Sequence, residues 1–139
     1  MIKRHYQIPK FETIYLNKKK NKFCLIIPVI NEGKNIQNLL NRIYQISLSK
    51  KIDIIIVDGG SNDKSIIVKD LKLKSIRGLI VLREEGKLSS QLRCAYSLAL
   101  KDGYRGFITI DGNNKDDPRS VLTFIKYLED GYDFIQASR

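Results

Sequence analysis

The chain has 139 residues, enough for one domain with a sizeable core, and 42% of them are hydrophobic, an ordinary globular composition that excludes a disordered or fibrous protein. The formal net charge is +10. No apolar run approaches the ~18 residues that a membrane span needs, and the first residues lack the apolar core of a signal peptide, so we expect a cytoplasmic protein.

The few cysteines and histidines exclude some kinds of site. Cys24 and Cys94 are far apart and form no CxxC pair, and the single histidine, His5, has no ligand-like neighbour. A zinc site or a histidine-based triad is therefore not expected. Both cysteines are predicted to be small buried hydrophobic side chains in a reducing compartment.

Positive charge is concentrated in residues 1–22, which hold seven basic residues against one acidic residue and so carry +6 of the total +10. We interpret this stretch as a basic lead-in segment, with residues 13–16 as a candidate edge strand, before a domain at residues 23–139. The lysine run at residues 18–22 predicts a solvated loop, which we favour, or a peripheral contact at the inner face of a membrane. No nucleic-acid partner is expected, because the other basic residues are scattered among acidic ones and no recognised motif appears.

From residue 23 onward, short apolar runs alternate with amphipathic segments. Runs at residues 23–30, 52–57, 79–82, 107–110 and 132–136 predict strands, and apolar residues at helical spacing predict a helix after each of the first four. Ser61 or Asn62 is predicted to cap the second helix, and Asp117 the fourth. The alternation predicts an α/β fold with a mostly parallel sheet and helices on both faces.

Three of the predicted strands end in an acidic turn that contains glycine. The turns begin at Asn31, Asp58 and Asp111. Ligands of open α/β sheets bind beyond the carboxyl ends of the strands, so we expect the three turns to meet at one site. Carboxylates in such a place favour a metal ion, sugar hydroxyls or the edge of a base.

Each turn has both a functional and a structural interpretation. Asp111 and Asn113 offer oxygen ligands that suit Mg²⁺ or Mn²⁺, yet their segment is also typical of a plain turn. Asp58 can accept hydrogen bonds from a base or ribose, while the two glycines after it suit either a close ligand or a tight turn. Glu32 can face a ligand or complement the dipole of the following helix.

These segments, IIPVINE at residues 26–32, IIVDGGSND at 55–63 and TIDGNNKDDP at 109–118, resemble the three signatures of family 2 glycosyltransferases. The pattern is most similar to the branch of dolichyl- and polyprenyl-phosphate sugar synthases, and it extends over residues 22–139. The resemblance implies a GT-A fold with a Rossmann-like nucleotide-binding half. It further implies a nucleotide-diphosphate sugar donor, a divalent metal and transfer of the sugar with inversion.

The resemblance also implies roles for individual residues. Pro28 and Glu32 match positions that line the nucleotide, and Asp58 matches the residue that contacts the base or ribose. Asp111 matches the first position of the metal-binding DxD motif and is expected to be catalytic, with Asn113 as the second metal ligand. Lys87 matches a basic residue common before the third helix, and Arg139 matches an arginine that lies near phosphate and is expected to be catalytic. Lys115 departs from the family, since it stands where the lipid-phosphate branch often has Gln, and its charge is expected to contact a phosphate.

The chain departs from the family pattern at several positions. Ile30 stands where the family usually has Tyr or Phe, and Gly59 and Asn113 each replace an aspartate that the family usually keeps. Metal binding is therefore expected to be weaker. Members of the family also continue well beyond the position of Arg139, so the domain is predicted to be truncated at its C-terminus.

Two functions follow from this reading. The first is a metal-dependent, inverting glycosyltransferase that acts on a polyprenyl-phosphate or saccharide acceptor, with this chain as its donor-binding half and not expected to suffice for activity. The second is a nucleotide-sugar-binding module that does no chemistry, which the altered motif and the short chain suggest.

Overall fold

A computed structural model describes residues 10–83 and 88–131. Within them lies one five-stranded sheet with the strand order β1-β4-β3-β2-β5. The strands are β1 (Phe11–Leu16), β2 (Phe23–Val29), β3 (Asp53–Asp58), β4 (Gly78–Leu82) and β5 (Gly106–Thr109). β2 pairs in parallel with β3 and β5, β3 pairs in parallel with β4, and only β1 is antiparallel, at the edge beside β4.

The helices are α1 (Lys34–Gln45), α2 (Val68–Leu73), α3 (Leu88–Lys101) and α4 (Ser120–Glu129), with a short 3₁₀ helix at Leu48–Lys50. Successive residues of the buried strands alternate between the two faces of the sheet. One face packs against α1, α2 and α4, and the other packs against α3. The predicted α/β fold, with a mostly parallel sheet and helices on both faces, is confirmed.

The alternation is clearest in β2, an interior strand of the sheet, whose seven residues are all buried. Leu25 and Ile27 join the core beneath α1 and α4, while Cys24 and Ile26 join the core beneath α3. Cys94 of α3 lies in that second core, and both cysteines are buried. The prediction that they serve as small buried hydrophobic side chains is confirmed.

Several predicted boundaries differ from the structure. Ser61 and Asn62 do not cap α2, which begins at Val68 after Ile67, because both residues bond to the first turn instead. The structure begins α4 at Ser120 with Arg119 as its N-cap, later than predicted, although Asp117 Oδ1 accepts the Arg119 N–H at 2.9 Å and so caps the turn that leads into the helix. The candidate edge strand at residues 13–16 is confirmed as part of β1. The predicted strand at 132–136 lies outside the described residues.

The start of β3 is fixed by a buried carboxylate. Asp53 is 5% exposed, and its Oδ2 accepts hydrogen bonds from the Tyr104 hydroxyl at 2.6 Å and the Lys20 backbone N–H at 3.0 Å. The side-chain amide of Asn21 donates to Asp53 Oδ1 at 2.8 Å. Burial, together with the nearby Asp53 carboxylate, raises the pKa of Tyr104 and keeps its hydroxyl a donor. These bonds join the segment that precedes β2 to the start of β3 and to the loop before β5.

No helix in residues 10–83 and 88–131 has both the length and the apolar character that crossing a membrane would require.

We expect the substitution Tyr104→Phe to lower the free energy of unfolding by about 1–3 kcal/mol, because it leaves a buried carboxylate with one hydrogen bond fewer. Urea denaturation followed by circular dichroism measures this value. Tyr44→Phe is the matched control, since Tyr44 is exposed on α1 and should change stability by less than about 0.5 kcal/mol. Equal effects of the two substitutions would contradict the structural role of the Asp53 cluster.

Candidate functional site

The three acidic turns lie at one edge of the sheet. β2, β3 and β5 run in parallel, and Val29 at the end of β2 is paired with Asp58 at the end of β3. After β4 the chain crosses to the far side of β2, so the strand order reverses between β2 and β5, where α/β folds form ligand crevices. A cavity of about 300 Å³ opens there, with a lining that includes Pro28, Val29, Glu32, Leu88, Gln91 and Asp111.

Pro28 interrupts the regular hydrogen bonding between β2 and the segment after β5. The Ile26 carbonyl accepts the Ile110 N–H at 3.2 Å, and the Pro28 carbonyl accepts the Gly112 N–H at 3.2 Å, so both residues face β5. Proline has no N–H to donate, and the ladder between β2 and β5 cannot continue in full beyond Ile26. Beyond Ile26 the third turn is therefore held to β2 by the bond from Gly112 to Pro28, while the Pro28 nitrogen donates nothing in return.

Asn31 joins the first turn to the second. It lies in the left-handed backbone region, with φ 47°, and its Oδ1 accepts the N–H groups of Asn62 at 2.9 Å and Asp63 at 3.2 Å. Its own N–H donates to Ser61 Oγ at 2.9 Å. The Gly33 N–H donates to Asp63 Oδ2 at 3.0 Å. Sequence reasoning did not assign Asn31 a role, although asparagine at a strand end is a known signal for this backbone conformation.

Asp58 is buried at the head of the second turn. Its Oδ1 accepts the N–H groups of Gly60 at 3.0 Å and Ser61 at 2.7 Å, while no described residue donates to Oδ2. One carboxylate oxygen thus holds the turn, and the other keeps its acceptor capacity. Asp58 lies beside the cavity at the end of β3 and is not among the residues that line it.

The third turn is packed tightly against β2. A Cβ atom on Gly112 would lie 2.5 Å from Val29 Cγ1 and 3.0 Å from the Pro28 carbonyl oxygen, so only glycine fits there. Asp111 Oδ1 accepts the Asn113 N–H at 3.1 Å, and Asn113 Oδ1 accepts the Lys115 N–H at 3.0 Å. The two residues predicted to bind metal therefore each use an oxygen to fold the turn.

Arg42 of α1 supports the same turn from outside. Its Nη1 donates to Asn114 Oδ1 at 2.8 Å, and its Nη2 lies 3.6 Å from Asp117 Oδ1. Arg119 bonds to the same carboxylate, and these hydrogen bonds and charges lower the pKa of Asp117 to about 2. Asp117 is thus a structural anion next to the site.

The surroundings of Glu32 disfavour the negative charge of its carboxylate. Burial raises its pKa, and the negative charges of Asp111 and Asp63 raise it further, while the positive charge of Lys115 acts in the opposite direction. Like charges so arranged favour a cation or a proton near Glu32. Lys115, which was predicted near a phosphate, is therefore close enough to influence this part of the cavity.

Gln91 is a site residue that sequence reasoning missed. It is 4% exposed on α3, and its Nε2 donates to the carbonyl oxygens of Val29 at 2.9 Å and Val57 at 3.0 Å. Both amide hydrogens are used, and no described residue donates to Oε1. A Cβ atom on Gly59 would lie 3.0 Å from Gln91 Cδ and Nε2, so Gln91 occupies the space beside Gly59. No local pattern links these two residues.

The described residues offer a divalent ion part of a ligand set. Among the described residues, no three histidine, cysteine, aspartate or glutamate side chains are grouped to hold a metal. Asp111 Oδ2 and the second lone pair of Asn113 Oδ1 remain as acceptors, and Mg²⁺ often binds one or two protein oxygens together with substrate phosphates. The residues fit a metal ion that is bound jointly by protein oxygens and substrate phosphates, rather than one bound by protein ligands alone.

The structure brings Pro28, Glu32 and Asp111 together in the cavity, with Asp58 beside it. Asn113 and Lys115 follow Asp111 in the same turn. Lys87 and Arg139 lie outside the described residues, so their predicted roles stay predictions.

Comparison with known proteins identifies the family of the chain. The sequence model of glycosyl transferase family 2 matches residues 24–139. An undecaprenyl-phosphate 4-deoxy-4-formamido-L-arabinose transferase of Proteus mirabilis is 27% identical over 127 residues, which are 87% of this chain and 38% of that protein. The transferase of the same name from Pectobacterium atrosepticum is 28% identical over 83% of this chain and 36% of its own length. An uncharacterized glycosyltransferase of Synechocystis is 25% identical over the same shares.

The chain thus spans well under half the length of these relatives, from 36% to 38%. Their names confirm the predicted resemblance to the polyprenyl-phosphate sugar transferase branch. The family match covers most of the chain and includes all three turns. The chain belongs to glycosyl transferase family 2.

Proposed function

We propose that this chain is the donor-binding half of a glycosyltransferase that uses a nucleotide-diphosphate sugar. The observation that carries the proposal is the cavity between β2 and β5, where Pro28, Glu32 and Asp111 converge beside Asp58. Apolar walls with a few fixed polar groups are typical of small-ligand sites. Family membership favours a sugar donor over other nucleotides.

The nucleoside is proposed to lie towards the second turn. Asp58 Oδ2 is an acceptor without a described donor, which suits the N–H of a base or a ribose hydroxyl. Gln91 Oε1 offers a second acceptor whose orientation is fixed by the two bonds from Nε2. Pro28 supplies an apolar surface between them.

The diphosphate is proposed to lie towards the third turn. Asp111 and Asn113 would hold Mg²⁺ or Mn²⁺, and Lys115 is placed to offset negative charge at Glu32 and on a phosphate. When bound, the ion stabilises the charge that develops on the leaving diphosphate. Lys87 and Arg139 are proposed to contribute further positive charge from outside the described residues.

The reaction is proposed to be a single displacement with inversion. An acceptor oxygen forms a bond to the anomeric carbon, and the bond from that carbon to the diphosphate breaks, with the electron pair leaving on the diphosphate. The relatives' names support a polyprenyl-phosphate acceptor, with a saccharide as the other proposed class. We propose that a lipid-linked acceptor is met at the cytoplasmic face of a membrane. A phosphate acceptor is already ionised and needs no strong general base.

A non-catalytic nucleotide-sugar-binding module is the second candidate. Gly59 and Asn113 stand where the family usually has aspartates, and the acidic groups that remain partly serve to fold the turns. Sugar transfer by a longer form of the protein, lost on Asp111→Ala, would exclude this candidate.

We expect isothermal titration of the chain with UDP-, GDP- and CDP-sugars in the presence of Mn²⁺ to reveal one donor that binds. Asp111→Asn should weaken that donor at least about tenfold, since it removes the charge that helps to hold the ion near the diphosphate. Asp130→Asn, at an exposed position after α4, is the charge-matched control and should bind as the parent does. The proposal fails if no donor binds either this chain or a longer form of the protein.

The raised pKa of Glu32 predicts a stability change with pH. A carboxyl group whose pKa is higher in the folded state than its ordinary 4.5 favours folding when protonated, and this contribution is lost as the pH rises through the folded-state pKa. Glu32→Gln should therefore unfold at a higher urea concentration than the parent at pH 7, and this advantage should shrink towards pH 4. Glu129→Gln, an exposed position on α4, is the control. An advantage that does not depend on pH would contradict the electrostatic explanation.

The contact between Gly59 and Gln91 predicts that the two positions are coupled. Gly59→Asp should cost about 1–3 kcal/mol in the parent, because the new side chain meets the fixed amide of Gln91. In a Gln91→Ala background the same substitution should cost at least about 1 kcal/mol less. Urea denaturation of the four proteins gives this coupling energy. Additive effects would show that Gln91 does not occupy the space beside Gly59.

A further inference from the structure

A second cavity lies at the opposite edge of the sheet. Its volume is about 550 Å³, and its walls come from the segments that precede β2, β3 and β4. The parallel strands begin at this edge, and a strand of the length of β2 spans roughly 20 Å. The cavity is therefore separate from the proposed donor site, and its assignment does not depend on that proposal.

The walls of this second cavity are strongly basic. Ten residues line it, and five of them are cationic against one that is anionic: Lys18, Lys20, Lys50, Lys72 and Arg77 against Asp53. Lysines 18 and 20 belong to the run in the lead-in segment, while the other three cations come from 30 to 60 positions further along the chain. Folding thus converts a local charge run into a concave site.

Asp53, the one acidic group of the cavity, already accepts three hydrogen bonds. Asp53 Oδ2 accepts from Tyr104 and from the Lys20 backbone, and Oδ1 accepts from Asn21. Arg77 is likewise committed, since its Nη1 donates to Asp102 Oδ2 at 2.6 Å and its Nε donates to the Asn17 carbonyl at 3.0 Å. The charge of Arg77 is thus balanced by Asp102, and the single negative charge of Asp53 leaves the four lysines in excess.

The four lysines have no acidic partner within the part of the chain that the structure describes. The ion pairs found there involve Lys74 and arginines only. Lys18, Lys20, Lys50 and Lys72 are exposed at the rim, and Lys72 Nζ is steadied 5.0 Å from the centre of the Tyr15 ring. Four ammonium groups around one concavity repel one another, and a bound anion would relieve that repulsion.

The frame of the cavity is fixed before any ligand binds. Asn21 Nδ2 donates to the Ser49 carbonyl at 3.3 Å and to Asp53, which joins the first wall to the second. Arg77 bonds to Asn17 and joins the first wall to the third. Hydroxyl and amide side chains of Ser49, Ser75 and Asn17 also face the cavity and can donate to phosphate oxygens.

We propose that this second cavity binds a diphosphate group. Four lysines match the three to four negative charges of a diphosphate, and Lys is an effective point-charge partner for phosphate. None of the described residues in its lining is aromatic, so stacking on a base has no basis there. The ligand is either a free diphosphate compound or the headgroups of anionic lipids, which present the same phosphate chemistry.

The first test is titration with inorganic pyrophosphate in EDTA, which removes metal-dependent binding at the donor site. We expect a single site whose affinity falls at least about tenfold in Lys50→Gln/Lys72→Gln. Lys101→Gln/Lys126→Gln is the charge-matched control, with both lysines exposed on other helices, and it should bind within about twofold of the parent. Asp111→Asn should bind pyrophosphate as the parent does.

The second test separates the two sources of phosphate. If lipid headgroups are the ligand, cosedimentation with vesicles of phosphatidylglycerol and phosphatidylcholine should depend on Lys50 and Lys72. If a free diphosphate is the ligand, the protein should either not cosediment or do so equally well after substitution of these two lysines. Equal losses in both double variants would show diffuse electrostatic attraction and overturn the proposal. The proposal is also overturned if the parent binds neither pyrophosphate nor vesicles, and this result would leave the donor-site proposal intact.

Discussion

Parallel pairing of β2 with both β3 and β5 is the constraint on which the proposed donor site depends. It brings the ends of three strands, and therefore three acidic turns, to one edge of the sheet. Pro28 then limits the ladder between β2 and β5, because it has no N–H to offer, and the crevice opens where the strand order reverses. Buried apolar side chains on both faces hold this arrangement, so the site lies at the ends of strands that are anchored in the core.

The polar groups of the turns divide their work between structure and ligand. Asp58, Asp111 and Asn113 each use one oxygen to accept a backbone N–H of their own turn. Asn31 joins the first turn to the second, and Gly112 permits the third to pack on β2. Turns fixed in this way can present their remaining oxygens to a ligand with little loss of entropy on binding. The loss of two family carboxylates therefore weakens the charge of the site more than its shape.

The fold was largely predictable because apolar runs and helical spacing report burial directly, as in the seven buried residues of β2. Helix starts were less predictable. Ser61 can cap a helix, but here it bonds to the first turn, which is distant in sequence, and Asp117 closes the turn just before α4. Gln91 could not be found from sequence, because its role depends on the backbone of two neighbouring strands. The basic cavity at the other edge is similar: its lysine run was evident, but the lysines that complete it come from separate loops.

A two-dimensional ¹⁵N NMR titration of the chain with the nucleotide sugar that binds, in the presence of Mg²⁺, tests whether the three turns form one donor pocket. If they do, the largest amide shifts belong to residues of all three turns, such as Gly33, Gly60 and Asn113, together with the N-terminal part of α3. Shifts confined to one turn, or to Ser49 and Ser75 at the opposite edge, would contradict it.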